Sequence, residues 1–164
     1  MHRASRLLCL LVFLSSAMAQ QRPDSIVLGQ RFELHSEATG EQRTYLVHRP
    51  PDCDISTARY PVIYVTDGNE HFRHVSATVD FLTAAGKIPP MLVVGIPNVV
   101  RGRDLLGYTR AAGPSRLLKF ITHELALKIE HDYRTQPYRI LTGWSDGGLF
   151  ALRALFRAPT FFRG

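Results

Sequence analysis

A chain of 164 residues, 45% hydrophobic and 21% charged, has the length and composition of one globular domain, not of a repeat array, a fibre or a disordered tail. Its 20 basic residues outnumber the 14 acidic ones for a net charge of +6, yet the excess is scattered, with no run of five like charges. That distribution argues against a nucleic-acid partner and allows a preference for anionic or oxygen-rich ligands.

Residues 1–19 read as a secretory leader. Arg3 and Arg6 supply the basic start, Leu7 to Leu14 the apolar stretch, and Ala17-Met18-Ala19 the small-residue cleavage pattern before Gln20. The apolar stretch is too short to span a bilayer, so no integral span is expected after cleavage. The expected product is exported, periplasmic or secreted, with residues 20–164 as its one domain. Cys9 goes with the leader, leaving Cys53 without an internal disulfide partner. It reads as a small, partly buried residue, a reactive thiol or an intermolecular bridge being the alternatives.

The mature chain alternates strand and helix. Residues 25–35 and 43–49 alternate apolar and polar positions as half-buried strands do, and Pro50-Pro51-Asp52 ends the second. Residues 60–65 and 91–96 are continuous apolar runs, as expected of strands covered on both faces. Between them residues 74–85 predict a crossover helix stopped by Gly86. Pro114 opens the clearest helix, 114–131, with Leu117, Ile121, Leu125 and Ile129 as its apolar stripe and Glu124 and Lys128 as an i,i+4 pair. A strand at 138–142 and an apolar helix at 147–157 complete the series, and that helix is expected in the interior of a layered domain. Two antiparallel strands followed by β-α-β-α-β predict a three-layer α/β fold with a mostly parallel sheet.

Gly143-Trp144-Ser145-Asp146-Gly147 joins that last strand to that last helix, and Gly148 follows. G-x-S-x-G between a strand and a helix is a nucleophile elbow. The turn is so sharp that the serine hydroxyl stands clear, and the flanking positions have no room for side chains.

On these residues the chain resembles the esterase D superfamily of α/β-hydrolases, the group that includes enterochelin- and bacillibactin-type siderophore esterases. The resemblance rests on residues 60–72 (YPVIYVTDGNEHF), 89–98 (PPMLVVGIPN) and 133–152 (YRTQPYRILTGWSDGGLFAL). It implies a serine carboxylic-ester hydrolase with Ser145 as nucleophile, a small-molecule ester as substrate, and no metal or organic cofactor. The backbone N–H of Asp146 is then one oxyanion donor, and that of Gly68 or Asn69, after the third strand, the other. Trp144 stands where the family usually has histidine. Asp146 stands where it usually has an apolar or small residue, and its carboxylate could oppose the developing negative charge.

The acid and histidine of such a triad follow the serine in the chain. Here residues 147–164 hold neither, and all seven histidines precede Ser145. A further βα unit needs about 30 residues, so the sequence reads as the N-terminal portion of the hydrolase fold, inactive by itself. A non-catalytic remnant or binding module is the alternative function. His71 lies beside the elbow in the family's strand order and could serve as a substitute base or substrate contact, while His71-x-x-His74 lacks a third metal ligand at sensible spacing. Arg101 and Arg103 follow the fourth strand on the same edge, where an arginine pair could hold an anionic or catecholate-like substrate by forked hydrogen bonds. Strand 138–142 is expected inside the family's sheet. Oligomeric state is not legible.

Overall fold

The computed structural model describes residues 25–107 and 112–163, so the expected leader lies outside the described residues. Among the described residues five strands form one sheet: β1 (Gln30–Ser36), β2 (Glu41–His48), β3 (Tyr60–Thr66), β4 (Leu92–Ile96) and β5 (Thr135–Thr142). Their order is β1-β2-β4-β3-β5. The pairs β1/β2 and β2/β4 are antiparallel, whereas β3 pairs parallel with both β4 and β5. The fold is α/β and its sheet mixed: the two outer strands are antiparallel, as expected, and β3, β4 and β5 form its parallel part.

Among the described residues four α-helices flank it. Helix α1 (Gly68–Ala84) connects β3 to β4, α2 (Gly113–Phe120) and α3 (Ala126–Asp132) precede β5, and α4 (Asp146–Arg157) leaves it. On one face Val65 and Val93 pack with Phe72 and Val79 of α1 and with Met91. On the other, Val62, Tyr64, Leu92, Val94 and Ile96 meet Leu117, Phe120, Ile121, Leu125, Ile129, Phe150 and Ala154. The strands β3 and β4 are thus covered on both sides, as their unbroken apolar runs require, and the three layers follow.

The long helix carries a π-helical segment, Ile121–Leu125, between α2 and α3. A spacing of four residues runs ahead of the 3.6-residue α turn. The wider π turn brings it back, so Leu117, Ile121, Leu125 and Ile129 are all buried. It also redirects Glu124, which accepts the Ala38 N–H at 2.8 Å, while Lys128 pairs with Asp132 at 2.6 Å. The expected Glu124–Lys128 pair does not form.

Two further expectations change. Helix α1 starts at Gly68, directly after β3, because Asp67 takes a left-handed turn (φ 51°, ψ 43°). A Cβ on Gly68 would lie 2.4 Å from the Ile96 amide nitrogen, so only glycine lets the helix begin against β4. Helix α4 is not interior among the described residues, since it buries Phe150 and Ala154 but leaves Leu149, Leu152, Leu155 and Phe156 exposed. Cys53 is buried, and burial pushes its thiol up, with Arg49 and Arg134 opposing.

Candidate active site

β5 ends at Thr142, and only three residues separate it from the start of α4 at Asp146. Ser145 makes the turn at φ 55° and ψ −116°, a conformation that costs a non-glycine residue about 1–3 kcal/mol. The surroundings impose it. A Cβ on Gly143 would lie 2.3 Å from Thr66 Oγ1, and one on Gly147 would lie 2.4 Å from the same oxygen. Thr66 is thus wedged between the two elbow glycines, and its hydroxyl donates to the Thr142 carbonyl at 3.2 Å. The Ser145 side chain does not cap α4, is exposed, and has no hydrogen-bond partner among the described residues. It is free to act.

The helix starts leave amides unpaired close to the elbow. In α1 the Asp67 carbonyl accepts the N–H groups of Glu70 (2.9 Å) and His71 (3.0 Å), and in α4 Trp144 O accepts that of Gly147 (2.9 Å). The N–H groups of Gly68, Asn69 and Asp146 have no protein partner among the described residues. They are first-turn donors carrying the positive end of a helix dipole. Gly68 and Asn69 therefore present helix N-terminal amides, not the amides of an open loop.

Arg101 and Arg103 do not form a pair. Arg101 donates Nε to Asp67 Oδ1 (2.8 Å) and a terminal nitrogen to Asp67 Oδ2 (3.1 Å), and its remaining nitrogen binds the Asp146 carboxylate. The Asp67 hydrogen bonds, then Asp146, raise its guanidinium further above the ordinary value. Arg103 instead binds Glu41 (2.6 and 3.1 Å) and Asp104 (2.7 Å), toward the β1–β2 side. Its fork is spent on protein carboxylates.

His71 and His74 lie on α1, their Nδ1 and Nε2 atoms 3.0 Å apart. With Val65, Val75, Thr142, Gly143 and Trp144 they line a cavity of about 360 Å³ beside the elbow. A larger cavity of about 500 Å³, lined by Pro50, Pro51, Tyr60, Pro90 and Met91 among others, opens where β3 and β4 begin, at the edge opposite the elbow. No hydrogen bond joins Ser145 to a histidine among the described residues. Nor do those residues contain three or more His, Cys, Asp or Glu arranged to hold a metal, or a helix long and apolar enough to cross a membrane.

Three contributors were not singled out in the sequence: Thr66, Asp67 and Asn98. Asn98 donates its amide to Asp67 Oδ1, completing that carboxylate's partners. The only local signal was an Asp-Gly step directly after a buried strand.

The family described as "Putative esterase" matches residues 36–164. Ferri-bacillibactin esterase BesA of Bacillus subtilis is 29% identical over 153 residues, covering 75% of this chain and 52% of that protein. The structure of an IroE-like serine hydrolase from Shewanella oneidensis superposes with a TM-score of 0.77 at 33% identity, covering 82% of this chain and 48% of that one. Siderophore hydrolase EstB from Aspergillus nidulans gives 0.72 at 25% identity, over 85% of this chain and 57% of its own. The chain spans about half the length of these relatives. With the family matched from the end of β1 through the elbow and α4, and the α/β-hydrolase-like sheet shared with solved relatives, the chain belongs to this esterase family.

Proposed function

We propose that Ser145 is the nucleophile of an exported carboxylic-ester hydrolase acting on small-molecule esters of the siderophore class. The strained backbone of exposed Ser145, together with the helix N-terminal amides of Gly68, Asn69 and Asp146 that have no partner among the described residues, is the observation that carries it. Ser145 Oγ attacks the ester carbonyl, and the oxyanion is received by the Asp146 N–H and by that of Gly68 or Asn69. Collapse of the tetrahedral intermediate breaks the ester C–O bond and expels the alcohol, which takes up the serine proton; water then hydrolyses the acyl-serine, releasing the carboxylic acid and restoring Ser145. The substrate class comes from relatives that bear the names ferri-bacillibactin esterase and siderophore hydrolase. Export rests on the leader-like residues 1–19; the esterase resemblance implies no metal or organic cofactor, and the scattered charge argues against a nucleic-acid partner.

Among the described residues no general base meets Ser145. All seven histidines precede Ser145, and His71 is bonded to His74 rather than to the serine. Loss of the histidine of a serine triad costs on the order of 10⁶ in turnover. Residues 20–164 by themselves are therefore expected to hydrolyse p-nitrophenyl butyrate no faster than their Ser145→Ala variant. A fluorophosphonate is still expected to form one slow adduct, on Ser145, seen by intact mass and absent from the variant. Rapid turnover that the variant abolishes would overturn the inactivity and point to His71. The absence of any Ser145 adduct would overturn the nucleophile and favour a non-catalytic binding module.

A further inference from the structure

Arg101 stands between two segments that contribute oxyanion donors from different elements. Asp67 immediately precedes Gly68 and Asn69 at the start of α1, while Asp146 carries its own donor at the start of α4. Arg101 forks onto the first carboxylate with two nitrogens and reaches the second with the third. Asp67 is 1% exposed and touches the elbow directly, for a Cβ on Gly147 would lie 3.1 Å from its Oδ2. Sequence separations of 34 and 45 residues make the contacts wholly tertiary. The arrangement also answers the charge problem that Asp146 poses, since its carboxylate is turned onto a guanidinium instead of being left free beside a developing anion.

We propose that Arg101 is a positioning residue: it fastens the Asp67–Asn69 turn to Asp146, setting the two halves of the oxyanion site at a fixed separation, and it is not a clamp for the substrate's anionic groups. The consequence for rate rests on Ser145 being the nucleophile; the fastening itself does not. Charge-assisted, bidentate hydrogen bonds are among the strongest single contacts of a side chain. Their loss at Arg101 should therefore be felt in both segments at once.

The test is hydrogen exchange by mass spectrometry on the full chain, comparing Arg101→Met, Arg101→Lys, Asp146→Asn and the Arg101→Met/Asp146→Asn double variant. In Arg101→Met, peptides covering 66–70 and 143–148 are expected to exchange together, about ten- to a hundredfold faster, with peptides from β1, β2 and α3 unchanged. Lysine keeps the charge but not the fork, so Arg101→Lys should recover only part of the protection. The double variant should exchange no faster than Arg101→Met, because both changes break one connection. Acceleration confined to residues 98–106, or additive effects in the double variant, would overturn the proposal. Should Arg101→Met unfold the whole chain, Asp146→Asn alone must still loosen both segments, or the proposal fails. Fluorophosphonate labelling gives the second readout. Arg101→Met should slow adduct formation equally for neutral and anionic probes, whereas a loss restricted to anionic probes would restore the substrate-clamp role. Failure of all labelling would remove the nucleophile and leave the exchange result standing.

Discussion

Thr66 is the residue on which the elbow turns, and its position makes the two neighbouring glycines unequal in a measurable way. The hydroxyl lies where a Cβ on either Gly143 or Gly147 would have to go, but Gly143 also faces backbone, with the Gly147 carbonyl carbon 2.4 Å from the would-be Cβ. At Gly147 the nearest atoms belong to the side chains of Thr66 and Asp67. Overpacking of this kind costs typically about 1–3 kcal/mol. Denaturant unfolding should therefore show both Gly143→Ala and Gly147→Ala destabilised within that range. In a Thr66→Ala background Gly147→Ala should recover most of its loss and Gly143→Ala should not. Equal recovery at both positions would show that the threonine, not the backbone, sets the limit at each.

Among the elements, β2 and the π-helical segment Gly102–Leu106 are fastened by a buried charge. Arg43, 0% exposed, donates to Asp104 Oδ2 and to Glu41, both at 2.9 Å. Asp104 also accepts the Val99 N–H at 3.0 Å and Arg103 Nε at 2.7 Å. Burial alone would push the Asp104 carboxyl up, yet Arg43, Arg103 and the Val99 amide together hold it below the ordinary carboxylate range. A carboxylate with a lowered folded-state pKa contributes stability that is complete above its unfolded value, about 3.9, and is lost as pH falls from there through the folded value. Asp104→Asn should then cost about 1.5–3 kcal/mol at neutral pH, because it leaves buried Arg43 only the Glu41 carboxylate, which Arg103 also uses, and should flatten the decline below about pH 4. Urea titrations at several pH values check both effects; an unchanged acid limb would place the sensitivity elsewhere. The same pair shows what the sequence could and could not convey. Strand and helix order followed from local periodicity, and the elbow from five contiguous residues. Arg43 shares a strand face with Tyr45 and Val47, so alternation would bury it, but its partner lies 61 residues away and nothing local announces the match. The Arg101 contacts to Asp67 and Asp146 were illegible for the same reason, and the early start of α1 was hidden in one left-handed aspartate.

At the scale of the whole molecule the sheet has two edge strands, β1 and β5, and the β5 edge follows directly into the elbow and α4. β5 ends the strand order, and among the described residues its outer edge receives a single rung, from the Arg163 N–H to the Arg139 carbonyl at 2.8 Å. Beside that edge α4 turns outward Leu149, Leu152, Leu155 and Phe156, the last 75% exposed, and Trp144 at the elbow is 74% exposed. An open strand edge is a template for pairing with another chain, and burying each of these side chains is worth roughly 1.5–3 kcal/mol. Against a typical domain stability of about 5–15 kcal/mol, covering three or four of them decides whether a species persists alone. Purified residues 20–164 are accordingly expected to self-associate in a concentration-dependent way, by size exclusion with light scattering, and to bind a hydrophobic dye. Leu152→Lys with Phe156→Glu removes the apolar character of the face without touching buried Phe150 or Ala154. That variant should shift the population toward monomer while keeping its unfolding transition as cooperative as before. A monodisperse wild-type monomer with no dye binding would mean that this face is covered by other parts of the chain, and the open edge of β5 with it.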